Sequence, residues 1–112
     1  MGNVKYYYGR EIGTGHPKVT VCLIRGDKGF YRGISICSNS EKSINKIKGK
    51  HMASGRALKA MYNMESSMPV TRSIAIDVLM KCRSVSGFAI PVMKSECHPE
   101  LTAFEKKLFR EE

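Results

Sequence analysis

Residues 18–37 read KVTVCLIRGDKGFYRGISIC, and this stretch decides the fold. Two runs rich in apolar and β-branched side chains, Lys18–Arg25 and Phe30–Cys37, flank Gly26-Asp27-Lys28-Gly29. Two glycines and an aspartate supply the positive-φ positions that a tight hairpin turn requires. A turn centred on Asp27-Lys28 pairs Val19 with Ile36, Val21 with Ile34 and Leu23 with Arg32. Strand side chains alternate between faces. That register therefore puts Val19, Val21, Leu23, Ile34 and Ile36 on one face, and gives Thr20, Cys22, Ile24, Tyr31, Gly33 and Ser35 to a more polar one. Cys22 stands opposite Gly33, not Cys37, which argues against a disulfide there.

Outward from the hairpin, Val4–Tyr8 is an aromatic and β-branched run, predicted as a first strand. GREIGTGHP (residues 9–17) is a loop whose glycines match no dinucleotide or phosphate-loop spacing. Past Ser38–Ser43, where Asn39 or Ser40 is available as a cap, helical pattern runs from about Ile44 to Met64. It is interrupted by Gly49 and Gly55, and its firmest part repeats Ala53, Ala57, Leu58, Met61 and Met64 at three- and four-residue steps. Gly55 costs about 1 kcal/mol in a helix interior, which close approach of a backbone or ligand would justify. Thr71–Cys82 alternates Ile74, Ile76, Val78 and Met80 against Ala75, Asp77 and Leu79 and reads as a strand, with a short helix as the other possibility. Phe88–Met93, carrying Pro91, reads as an edge strand. Pro99 opens a last helix with Leu101, Phe104 and Leu108 as its buried stripe. The expected fold is one α+β domain over residues 1–112. Its mostly antiparallel sheet is built around the hairpin, and two main helices pack on one side.

The charge is one-sided. Residues 1–60 hold twelve Lys and Arg against Glu11, Asp27 and Glu41, which is the whole formal charge of +9, and residues 61–112 hold seven of each sign. A concentration of this kind points to a phosphate-bearing partner. It is densest between Lys42 and Lys59, with six basic residues and no acid. No apolar run reaches the ~18–20 residues of a membrane span. The start MGNVKYYYGR lacks the pattern of a secretory signal, and Tyr6 stands where myristoylation wants Ser or Thr, so a cytosolic protein without a membrane partner is expected. Cys22, Cys37, Cys82 and Cys97 have no metal-ligand spacing and are expected as reduced thiols. His16, His51 and His98 lie in separate segments, and no carboxylate pair or nucleophile constellation stands out. The expectation is a protein without catalysis, metal or cofactor.

Candidate ligand-binding residues follow from that chemistry. Lys48 and Lys50 flank Gly49 ahead of the firm helix, where backbone N–H groups attract anions. Arg56 offers a planar fork for two phosphate oxygens. Arg10 in the glycine-rich loop and Arg32 on the hairpin add charge. Asp77 suits a sugar hydroxyl or a pairing with Arg72 or Arg83. Phe88, Phe30, Tyr31 and Tyr6–Tyr8 are candidates to stack on a base.

A hairpin ending in RGISICS, then a basic stretch, then GKHMASGRALKAM (49–61) resembles small phage-encoded proteins of the first anti-Thoeris type. The resemblance covers about forty residues, Val19 to Ala60, and carries no catalytic motif. It implies a nucleotide sponge in the cytoplasm of an infected bacterium. Such a protein sequesters, uncleaved, a cyclic ADP-ribose-type or cyclic oligonucleotide signal and so blocks anti-phage defence. It also implies a homo-oligomer, dimers assembling into hexamers. Of the family's site only Gly55-Arg56-Ala57 carries over. The rival expectation is a basic, phage-derived nucleic-acid-binding protein using the same half of the chain. Seven methionines and five tyrosines are many for a small monomer to bury, which also points to subunit contacts.

Overall fold

A computed structural model describes residues 3–13, 15, 17–27, 29–36, 46–68, 71–80, 94–101 and 103–110. The predicted hairpin is its centre. Strand β2 (Pro17–Gly26) pairs antiparallel with β3 (Gly29–Ile36) in the register set by the turn, Val19 with Ile36, Val21 with Ile34 and Leu23 with Arg32. Gly26 faces Gly29, whose φ of 149° favours glycine. Strand β1 (Val4–Arg10) lies antiparallel on the other side of β2, Tyr6 opposite Cys22 and Tyr8 opposite Thr20, with an irregularity between Gly9 and Arg10. After helices α1 (Lys46–Asn63) and α2 (Arg72–Met80), a two-residue strand β4 (Glu96–Cys97) pairs with Tyr31 and Arg32. Helix α3 (Ala103–Arg110) ends the described chain, and the sheet order is β1-β2-β3-β4. This is an α+β fold with an antiparallel sheet.

The helices divide between the two faces of the sheet, α1 on one and α2 with α3 on the other, so the two main helices expected on one side do not share a face. Ala53 and Ala57 of α1 pack with Cys22, Ile24 and Tyr31, whereas Ala75 and Val78 of α2 join Tyr7, Val19, Val21, Ile34 and Ile36 on the opposite face. The face expected to be the more polar is therefore also interior, with Thr20 and Ser35 both buried. Gly33 explains how α1 reaches it. A Cβ there would collide with the carbonyl oxygen of Ala53 and the amide nitrogen of Ala57, and would lie 2.8 Å from the Ala57 Cβ. The sheet and α1 thus meet backbone to backbone, through Gly33, Ala53 and Ala57. Gly55, by contrast, faces open space, so no close approach accounts for it. The helix runs unbroken through both of its glycines and stops at Met64, which takes the left-handed conformation (φ 56°) and donates its N–H to the Ala60 carbonyl.

Two other expectations change. Residues 72–80 form a helix, not a strand. The alternation coexists with an i, i+3 pair, Ala75 and Val78, and that pair is what the sheet buries. The Thr71 carbonyl accepts from the Ala75 N–H at the helix start. The last helix begins at Ala103, after Pro99, and it buries Glu105 and Phe109 with Leu108 half-buried. The predicted edge strand Phe88–Met93, with the pieces Ile44–Asn45 and Lys81–Cys82 of other predicted elements, lies outside the described residues. Among the described residues no helix is long and apolar enough to cross a membrane.

Candidate functional site

Alternation along β1 sends Val4, Tyr6, Tyr8 and Arg10 to the face that α1 covers. Helix α1 sits over β2 and β3, so the β1 side chains flank it and line an open-sided cleft. The cleft has a volume of about 270 Å³ and is bounded by Tyr6, Ile47, Lys50, His51 and Ser54. At its wall the Lys50 ammonium lies 4.6 Å from the centre of the Tyr6 ring. Helical spacing produces this lining, because residues 47, 50, 51 and 54 fall on one side of α1 at i, i+3, i+4 and i+7. Beneath Tyr6 lies the buried Cys22 thiol, which burial pushes up to about 11. Burial, with the neighbouring Cys22, also raises the Tyr6 hydroxyl. Both groups stay protonated near neutrality, so the cationic partners in the cleft set its charge. One row along β1, the Arg10 guanidinium lies 5.6 Å over the Tyr8 ring and donates to the Gly15 carbonyl at 3.1 Å.

The predicted binding residues do not converge as a group. Lys50 is in the cleft, and exposed Lys48 is on the same first turns of α1. Arg56 is on the opposite flank of the helix, donating to the Ile34 carbonyl of β3 at 3.0 Å, and partial burial lowers its pKa. Arg72 and Asp77 are exposed on α2, beyond the far face of the sheet. Phe88 lies outside the described residues.

Arg32 is corrected outright. It is 2% exposed and ion-paired to fully buried Glu105, with the Tyr7 hydroxyl donating to the same carboxylate at 2.7 Å. Its guanidinium also donates to Glu96 at 3.5 Å and to the Glu100 carbonyl at 3.2 Å. Burial alone would lower the Arg32 pKa, but the Glu105 carboxylate outweighs it and the net direction is upward. Arg32 therefore ties α3 and β4 to the far face of the sheet and has no donor directed at the cleft.

Among the aromatic candidates, Tyr7 and Tyr31 are core side chains, and Phe30 packs edge-on to Phe109 at 5.3 Å. Tyr6 and Tyr8 remain, half-buried with cations against them. Ile47, Ser54 and His51 were not foreseen as lining residues. Their signal was only the helical spacing around Lys50. Among the described residues no cluster of His, Cys, Asp or Glu has the makings of a metal site. No protein family, curated protein or solved structure was found to match the chain.

Proposed function

We propose that the protein is a non-catalytic binder of a phosphate-bearing cyclic nucleotide signal, of the cyclic ADP-ribose or cyclic oligonucleotide class. The cleft between β1 and α1 holds one of the ligand's bases. The observation that carries this reading is the Lys50 ammonium over the Tyr6 ring at the wall of an open cleft on the basic half of the chain. A cation and an aromatic face together suit a ligand with both a π surface and negative charge. Drug-sized ligands occupy pockets of about 300–1,000 Å³. A cleft of about 270 Å³ therefore suits one nucleobase with its sugar, the rest of the ligand lying over the adjoining cations. In the setting that the sequence resemblance implies, such binding would sequester an immune signal in an infected bacterium.

Self-association belongs to the same proposal. Ile47, Leu58 and Tyr62 are exposed along one side of α1, and Met64, Met68 and Met80 are exposed beyond it, which supports contacts between copies.

Native mass spectrometry of protein purified from phage-infected bacteria tests the reading. A retained nucleotide of unaltered mass is expected, and Tyr6→Leu should lose it while the protein stays folded. Recovery of a cleaved product would refute the non-catalytic reading. Retention unchanged in Tyr6→Leu would refute the placement in the cleft.

A further inference from the structure

Gly55 stands in the middle of α1, with open space where its Cβ would be. Glycine inside a helix is destabilising relative to alanine, and no close approach within the chain calls for it here. Around it on the helix surface stand Met52, Leu58, Lys59 and Tyr62, three, four or seven residues away. All four are exposed, Tyr62 at 75%. Gly55, Leu58, Lys59 and Tyr62 have the i, i+3, i+4, i+7 spacing of a single helix face. This face is separate from the cleft, to which α1 gives Ile47, Lys50, His51 and Ser54. It points away from the sheet, because Ala53, Ala57 and Ala60 hold the other side of the helix in the interior.

The chemistry of the face selects its occupant. A recess at Gly55 bordered by Met52, Leu58 and Tyr62 has the make-up of a protein contact, in which Met and Tyr are enriched at the centre and charge sits at the rim. Lys59 edges the recess, with exposed Lys48 two turns before Gly55. A nucleic acid is held chiefly by donors to its phosphates, and the middle of this face is aliphatic and aromatic. A second copy is disfavoured by charge. Helix α1 has five Lys and Arg and no Asp or Glu, so pairing α1 with α1 would set cation against cation. Contacts between copies are then left to Met64, Met68 and Met80. The surface that complements this helix is apolar at its centre and acidic at its edge.

We propose that this face of α1 docks an acidic amphipathic helix of a partner protein. The partner's backbone crosses at Gly55, where the missing Cβ allows an interaxial distance toward the short end of the usual 8–10 Å. Its apolar side chains pack among Met52, Leu58 and Tyr62, and its acids meet Lys59. The docking site is independent of the nucleotide reading, since no residue of this face lines the cleft.

The test is amide NMR of the full chain titrated with a synthetic helical peptide of about 18 residues, with leucines along one face and glutamates beside them. The control is the same peptide with lysines in place of the glutamates. Saturable shifts centred on Met52, Gly55, Leu58, Lys59 and Tyr62 are expected for the acidic peptide, with a dissociation constant of about 10–100 μM, and none for the basic one. Gly55→Ala fills the recess and should weaken binding by about tenfold while the helix stays intact. Lys59→Glu should also weaken the acidic peptide by about tenfold, and should admit the basic one. Shifts that are absent or lie elsewhere, equal binding of the two peptides, or unchanged affinity in both variants overturns the docking site. Shifts at these amides with a DNA duplex, or on raising the protein concentration alone, without binding of the acidic peptide, would give the face to a nucleic acid or a second copy and overturn the choice of partner.

Discussion

Removing the Glu105 carboxylate should be among the most damaging single changes in this protein. The Arg32 guanidinium is 2% exposed, and Glu105 supplies its fully buried counter-charge. Glu105→Ala leaves that cation with Glu96 at 3.5 Å, itself partly exposed, and with the Glu100 carbonyl at 3.2 Å. Breaking one half of a buried pair costs about 3–5 kcal/mol, against a total stability of about 5–15 kcal/mol for a domain. At about 4 °C per kcal/mol for a chain of this size, the midpoint should fall by about 12–20 °C. Glu105→Gln keeps the shape and an acceptor for Tyr7 and loses only the charge, so about 1.5–3 kcal/mol is expected.

Replacing both partners, Arg32→Met with Glu105→Leu, removes the uncompensated charge and should recover most of the loss. Thermal and urea unfolding followed by circular dichroism measure all of these. The same series tests the removal of Arg32 from the binding residues. Per folded molecule, Arg32→Met should bind nucleotide as the parent does. A Glu105→Ala loss below about 1 kcal/mol, or a double variant no better than the sum of the singles, would refute the idea that an ion pair holds α3 to the sheet.

Gly33→Ala forces two backbones apart at the contact with Ala53 and Ala57 and should cost at least about 2–3 kcal/mol, the upper part of the overpacking range, by urea midpoint. Gly55→Ala, where space is open, should instead stabilise by about 0.5–1 kcal/mol. Equal effects would show that the helix does not lie where described. Alkaline pH should destabilise the protein. The Cys22 thiol is raised from 9.0 to about 11 and the Tyr7 hydroxyl is also raised, by burial and then by Glu105. Both are protonated in the fold, so stability is full below about pH 9 and is lost as pH rises, with Cys22 contributing up to about 2.7 kcal/mol by pH 11 at 1.36 kcal/mol per unit. A stability flat from pH 8 to 11 would contradict the buried thiol. Light scattering at micromolar concentration should give a mass of two chains or more, and a monomer mass would end the self-association proposal.

How much of this was legible depended on whether two signals agreed. In the hairpin the turn residues and the alternation demanded one register, and the structure has it. The same register already set Arg32 beside Leu23 on an apolar face, so its burial was readable. Its partner was not, because Glu105 is 73 residues away and α3 starts later than Pro99 suggests. Residues 72–80 satisfied both periods, and only the surface that receives Ala75 and Val78 chooses between them. The site was legible as a charge bias and a lysine-flanked helix. Which cations share a cleft was not, since that depends on where α1 crosses the sheet.

That crossing also bears on the choice between a small ligand and a nucleic-acid groove. The basic half contains twelve Lys and Arg, but among the described residues three arginines are turned away from the cleft. Arg32 is spent on Glu105, Arg25 lies 5.2 Å over the Phe109 ring, and Arg56 is turned to β3. Around the cleft and the first turn of α1 stand, among the described residues, chiefly Arg10, Lys48 and Lys50. A duplex site with 6–10 phosphate contacts loses about 10³–10⁵ in affinity between 50 and 200 mM salt. Two phosphates, taken at the same slope of about 0.9 decades per contact, give about tenfold over that fourfold change. A nucleotide lacks the condensed counterions of DNA, so tenfold is an upper figure. Calorimetry with a cyclic dinucleotide at 50, 100 and 200 mM salt should therefore show sub-micromolar binding that weakens by about tenfold or less. A loss of a thousandfold for DNA or RNA, with no nucleotide bound at any salt, would reverse the choice. The cations around the cleft would then be the end of a longer path across the surface of α1.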